Sequence, residues 1–84
     1  MQIQITATAL KDIKKLDSVT AKRLRKKLIA IQHSPDPLAT AKKLTSPFDG
    51  QFRYRIGDFR VVCELAQQTL YILRVQHRRE VYRS

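Results

Sequence analysis

Phe52-Arg53-Tyr54-Arg55-Ile56-Gly57-Asp58-Phe59-Arg60-Val61-Val62-Cys63-Glu64-Leu65 largely alternates apolar and polar residues on both sides of a Gly-Asp pair. Alternation with period two is the pattern of half-buried β-strands. Glycine in the first central position of a two-residue loop suits a type II′ turn. The stretch therefore predicts an antiparallel hairpin whose register the turn fixes: Ile56 opposite Phe59, Arg55 opposite Arg60, Tyr54 opposite Val61, Arg53 opposite Val62. Facing residues share one side of a sheet. Phe52, Tyr54, Ile56, Phe59, Val61, Cys63 and Leu65 then form an apolar face. Arg53, Arg55, Arg60 and Glu64, with Val62, form the other. Arg55 opposite Arg60 is a like-charge pair, which costs about a few tenths of a kcal/mol. Local conflicts of this kind gather at functional sites.

Downstream, Ala66-Gln67-Gln68-Thr69 reads as a second turn and Leu70 to Gln76 as a third strand. A three-residue loop sends Tyr71, Leu73 and Val75 to the apolar face and leaves Ile72, Arg74 and Gln76 with the arginines. A two-residue loop reverses this and buries Arg74, so the first register is preferred. The run His77-Arg78-Arg79-Glu80-Val81-Tyr82 is placed at the edge of the arginine face.

Upstream, Gln2 to Thr6 reads as a short strand with Ile3 and Ile5 on one side. Thr8 is the expected cap of a first helix carrying Leu10, Ile13 and Leu16. Asp17 or Ser18 caps a second, in which Ala21, Leu24, Leu28 and Ile31 make one apolar stripe. Its other faces carry Lys22, Arg23, Arg25, Lys26 and Lys27, either a solvated surface or a contact for a polyanion. Ser34-Pro35-Asp36-Pro37 ends that helix. Leu44 is expected as an apolar anchor, followed by a turn at Ser46-Pro47-Phe48-Asp49-Gly50. The fold class is α+β: an N-terminal strand, two helices and a three-stranded antiparallel meander in two layers, as one domain spanning residues 1–84.

The 84 residues carry 17 Lys plus Arg against 7 Asp plus Glu, a net charge of +10, with 43% apolar residues. That suffices for one modest core and excludes most multi-step cofactor enzymes. The longest apolar run is far below the roughly 20 residues that span a membrane. Met1 to Ile5 has no secretory leader pattern, so a cytoplasmic location is expected. One cysteine, Cys63, and two histidines, His33 and His77, offer no disulfide and no metal cage, so neither metal nor cofactor is expected. All eight lysines lie at or before Lys43, and seven of nine arginines lie at or after Arg53. Guanidinium is the better bidentate phosphate ligand, so the second half is where a site is expected. Arg53, Arg55, Arg60 and Arg74 on one face outnumber the nearby carboxylates Glu64 and Glu80, which favours anion binding. RNA is cut without metal when its own 2′-hydroxyl attacks the adjacent phosphate, given a base, an acid and cations on the phosphorane. His77 titrates near neutrality unless perturbed. Tyr82 can stack on a base or move a proton.

Lys42-Lys43-Leu44, then Phe52 to Val62, then His77-Arg78-Arg79-Glu80-Val81-Tyr82 resemble the RelE branch of the RelE/ParE toxin superfamily over nearly the whole chain. The resemblance implies a toxin of a type II toxin–antitoxin pair that cuts messenger RNA in the ribosomal A site of the small subunit by the metal-free route. It implies neutralisation by an acidic cognate antitoxin that wraps the toxin, and contact with operator DNA only through that complex. Carried over by position, Arg53 and Arg55 match the family's basic pair, and Arg60 a phosphate contact or transition-state stabiliser. Arg78 matches the arginine at the leaving group, and Tyr82 the tyrosine that orients or deprotonates the 2′-hydroxyl. His77 stands beside that arginine. Lys22, Arg23, Lys26 and Lys27 suit ribosomal RNA by analogy. Some relatives carry lysines where Arg53 and Arg55 stand, and arginine hardly loses its proton. The sequence ends two residues after Tyr82, so inhibition is expected by covering the face rather than by displacing a C-terminal helix. Two rival readings stay open on the same fold: a ParE-like poison of DNA gyrase, and a non-catalytic nucleic-acid-binding repressor component.

Overall fold

A computed structural model describes residues 1–36, 41–43 and 51–81. Five strands and three helices follow in the order β1 (Gln2–Ile5), α1 (Ala7–Lys14), α2 (Ser18–His33), β2 (Lys42–Lys43), β3 (Gln51–Ile56), β4 (Phe59–Ala66), β5 (Thr69–His77) and α3 (Arg78–Val81). They build one sheet in the order β1-β5-β4-β3-β2. β1 runs parallel to β5, pairing Ile3 with Leu70 and Ile5 with Ile72, while the other pairings are antiparallel. The core gathers Tyr54, Ile56, Val61, Cys63, Leu70, Ile72 and Val75 of the sheet under Ala9, Leu24 and Ile31 of the helices. No helix among the described residues is long and apolar enough to cross a membrane. The expected Leu44 anchor and the turn at Ser46–Gly50 lie outside the described residues.

The α2 stripe is as expected, with Leu24 and Ile31 buried and Ala21 and Leu28 half-buried. Asp17 is the cap: its carboxylate accepts from the Thr20 N–H (3.1 Å) and the Thr20 hydroxyl (2.6 Å). α1 begins earlier than expected. Thr6, not Thr8, caps it, its Oγ1 accepting from the Ala9 N–H at 3.1 Å. The apolar stripe shifts accordingly to Ala9, Ile13 and Leu16, and Leu10 is left 46% exposed. Thr6 wins because it does three things at once. Its N–H donates to Ile72 O (3.1 Å), extending the β1–β5 ladder, and its hydroxyl donates to Leu73 O (3.3 Å) while capping the helix.

The β3–β4 register is the predicted one at every pair. The β4–β5 register is not. Ala66 pairs with Thr69 across a two-residue turn, Gln67-Gln68, whose φ angles are both positive at 50° and 67°. That is the geometry of a type I′ turn, which matches the strand twist but favours Asn and Gly; glutamine gives no such signal. Leu70 and Ile72 therefore face the core, fully buried, and Tyr71 faces away, the reverse of the expectation. A β-bulge then resets the phase: Cys63 pairs with Ile72 but Val62 pairs with Arg74, so Leu73 is the extra residue. Beyond it Val75 points inward and Arg74 and Gln76 point away, as predicted. The bulge lets a two-residue turn coexist with an unburied Arg74.

Candidate functional site: an arginine cleft at a hairpin turn

The site begins at the turn that the alternation located. Gly57 has φ +59°, and no described residue with a side chain at this turn shares a positive φ, the combination a type II′ turn requires. The tight turn brings Arg55 directly opposite Arg60, with Arg53 one pair further along beside Val62, all on the face turned away from the core. A fourth guanidinium comes from the other end of the chain. β5 runs out at His77, opposite Phe59, and the Arg78 N–H donates to Asp58 O at 2.8 Å. That bond ties the start of α3 to the hairpin turn. Arg53, Arg55, Arg60 and Arg78 thus line one cleft of about 150 Å³, with Gly57, Asp58 and Phe59 as its remaining wall. Arg55 and Arg78 are exposed, Arg53 and Arg60 half-buried, and Arg60 Nε is shielded from solvent. Strand pairing and one backbone bond thus gather four guanidiniums at one cleft, whose positive charge and planar forks can take an anion.

The remaining predicted residues are elsewhere. His77 shares the core side of the sheet with Phe59, and their rings meet edge to face at 5.1 Å and 89°. Its Nδ1 accepts the Arg79 N–H at 3.1 Å, so in the neutral ring the proton sits on Nε2. His77 lines cavities on the helix side of the turn and not the arginine cleft. Arg74 reaches round the edge of β5 to Asp12 of α1, Nε to Oδ2 at 2.8 Å. The same Oδ2 accepts the Val75 N–H at 2.9 Å, closing the part of the β5 edge that β1 does not cover. Burial opposes ionisation of Asp12, but the Arg74 and Val75 hydrogen bonds and the charges of Arg74 and Lys15 outweigh it. The carboxyl is held below its ordinary value of 3.8. On α2, Lys22, Arg23 and Lys26 are exposed, while Lys27 lies half-buried with Nζ 5.5 Å from the centroid of the Tyr54 ring. Tyr54 is buried, and desolvation pushes its phenol up to about 12. Tyr82 lies outside the described residues. Among the described residues no group of His, Cys, Asp or Glu is placed to hold a metal ion. Asp58 was not singled out as a site residue from sequence. The signal was the Gly-Asp pair itself, since a loop between two facing arginines must line whatever they bind.

No curated protein matches the chain. Among solved structures, a chain of the RelB–RelE antitoxin–toxin complex from Methanococcus jannaschii superposes with a TM-score of 0.78 at 24% identity, covering 94% of both chains. A chain of the RelBE2 toxin–antitoxin complex from Mycobacterium tuberculosis gives 0.68 at 28% identity, over 90% of this chain and 88% of that one. Isolated RelE from E. coli gives 0.74 at 21% identity, over 90% and 82%. The family model for the ParE toxin of type II toxin–antitoxin systems, parDE, matches residues 3–82. The chain therefore belongs to the ParE toxin family of type II toxin–antitoxin systems, and its fold is the one seen in RelE chains.

Proposed function

We propose that this toxin is a metal-independent endoribonuclease that cuts messenger RNA on the ribosome in the cytoplasm. The observation that carries the reading is the cleft in which Arg53, Arg55, Arg60 and Arg78 converge. In the reaction the 2′-oxygen forms a bond to phosphorus and the P–O5′ bond breaks, leaving a 2′,3′-cyclic phosphate and a 5′-oxygen that takes a proton from water to become the 5′-hydroxyl. The phosphorane between these states carries more negative charge than the diester. Fixed guanidiniums therefore bind the transition state better than the ground state. Arg60 and Arg78 are assigned to the phosphorane, and Arg53 and Arg55 to the flanking backbone. The 2′-hydroxyl proton is assigned to Tyr82 on the resemblance of the His77 to Tyr82 run to the family's ending. Lys22 and Lys26, exposed on α2, are assigned to the anionic surroundings of the substrate. A cognate antitoxin is the expected partner, because the relatives RelE of M. jannaschii and RelBE2 of M. tuberculosis are seen in antitoxin complexes.

One observation favours a second reading. The imidazole of His77 opens on the other side of the sheet, so the described lining of the cleft holds cations and Asp58 but no neutral-pH acid–base ring. A toxin that only binds, such as a gyrase poison, needs none. Primer extension on messages after induced expression separates the two. Cuts that vanish in Arg78→Ala and Tyr82→Phe support the nuclease. Intact messages with broken chromosomal DNA overturn it in favour of the gyrase poison.

A further inference from the structure

The Gly57-Asp58 turn has a cavity on each side. On the outer face lies the arginine cleft. On the helix side lies a second cavity of about 200 Å³, lined by Thr20, Arg23, Ile56 and His77 and sharing Gly57, Asp58 and Phe59 with the first. The wall between them is a two-residue turn whose first residue has no side chain. Arg23 reaches over it from α2: its Nη1 lies 3.7 Å from where a β-carbon on Gly57 would stand. Arg23 and Arg25 are the two arginines of the lysine-rich half. Arg25 lines an apolar groove with Ile5 and Ile29 instead.

We propose that Arg23 is the ligand of a second phosphodiester: a single-stranded RNA seated in the arginine cleft crosses the Gly57-Asp58 turn and sets its neighbouring phosphate against this guanidinium. The inference rests on the nuclease reading of the cleft and adds the path of the strand. The chemistry of the second cavity supports one charged ligand. The Thr20 hydroxyl is engaged with Asp17 Oδ1 at 2.6 Å, and His77 Nδ1 accepts from Arg79, which leaves Nε2 as the ring's donor. Recognition of charge thus falls on Arg23, whose planar fork suits a phosphate. Asp58 lines both cavities, and its charge is outnumbered by four guanidiniums on the outer side. The α2 arginine is in this account part of the substrate groove rather than of a diffuse basic surface.

The probe is 2′-O-methyl hexauridylate, which binds but cannot be cut because its 2′-oxygens are blocked. Its affinity is followed by fluorescence anisotropy from 50 to 200 mM salt. Each phosphate neutralised on a single strand contributes about 0.7 to the salt slope. Arg23→Ala, and Arg23→Gln with its stem kept, are expected to lower the slope by about 0.7 and the affinity by about tenfold at low salt. Arg23→Lys is expected to restore most of the slope. Lys14→Ala, which removes one exposed charge from α1, sets the effect of net charge alone and is expected to change affinity less than twofold. Arg23 variants that behave like Lys14→Ala, while Arg60→Ala still weakens binding, overturn the second seat and leave the nuclease reading standing. If the parent does not bind, or Arg60→Ala changes nothing, the arginine cleft is no seat for free RNA and the second seat fails with it, while primer extension on messages still decides the nuclease reading.

Discussion

Removing the Asp12 carboxylate tests how the last strand is held. Oδ2 accepts from Arg74 Nε (2.8 Å) and from the Val75 N–H (2.9 Å), and Oδ1 lies 3.4 Å from Arg74 Nη2. The Asp12 side chain is 13% exposed and that of Arg74 44%. The arginine can return to water, so its share of the loss is under about 1 kcal/mol. The Val75 N–H cannot turn away and has no strand beside it, so an unmade bond there costs about 1–3 kcal/mol. Asp12→Ala is therefore expected to cost about 2–3 kcal/mol in total. That is a large part of the roughly 4–13 kcal/mol that holds a chain of this length. It corresponds to a fall in Tm of about 10–20 °C. Thermal and urea unfolding followed by circular dichroism measures it, and amide exchange at Val75 localises it. The pH dependence gives a second test. The folded pKa of Asp12 lies below 3.8. Ionised Asp12 thus adds stability above about pH 4, and this share is lost as pH falls through the folded value. In Asp12→Asn the difference from the parent should shrink over that acid limb. An Asp12→Ala variant within about 0.5 kcal/mol of the parent, with Val75 equally protected, refutes the reasoning.

Three further outcomes follow from single residues. Gly57→Ala finds room for its methyl group, with Arg23 Nη1 at 3.7 Å, so its cost is the left-handed backbone alone, about 1–2 kcal/mol in urea unfolding. Burial pushes the Cys63 thiol up to about 12, so iodoacetamide at pH 8 should leave it unmodified in the native protein and label it fully in denaturant. Stoichiometric labelling of the native protein contradicts the buried placement. Arg74→Ala should weaken RNA binding less than Arg60→Ala, since Arg74 is held at the β5 edge by Asp12; an equal loss returns Arg74 to the phosphate-binding set.

The sequence was most legible where local chemistry decides. The Gly57-Asp58 turn fixes its own register, and one correct turn places Arg53, Arg55 and Arg60 together. Arg78 was legible only as a motif, because the bond that delivers it, from its N–H to Asp58 O, joins backbone groups that no side-chain pattern reports. The position of His77 was hidden for a related reason. It sits next to Arg78 in sequence, but the strand ends between them, and the two serve opposite sides of the sheet. The β4–β5 register failed because two conformations competed with similar local signals. Gln67-Gln68 does not advertise a type I′ turn, and the carbonyl of the bulged Leu73 finds a partner only in the hydroxyl of Thr6, 67 residues away, among the hydrogen bonds described for it. Asp12 is a polar residue of α1 that no sequence pattern singles out. Its partners, Arg74 and Val75, are 62 and 63 residues distant, beyond any periodicity.

The facing pair Arg55–Arg60 makes the folded chain a gauge of its own occupancy. With the cleft empty, the hairpin carries a repulsion that the unfolded chain does not. Any polyanion that fills the cleft removes the repulsion and adds its own binding energy, and it binds the unfolded chain far less well. Stability then rises by RT ln(1 + [L]/Kd), about 2.7 kcal/mol at a hundredfold excess over Kd. Melting temperature, without any label or any turnover, thus reports whether RNA, an acidic protein or inorganic phosphate has taken the seat, and orders them by affinity. An acidic protein that covers the cleft and an RNA that enters it act on the same four guanidiniums, so their stabilisations cannot add. The thermal shift of one saturates that of the other, and inhibition becomes measurable as a melting curve that RNA no longer moves.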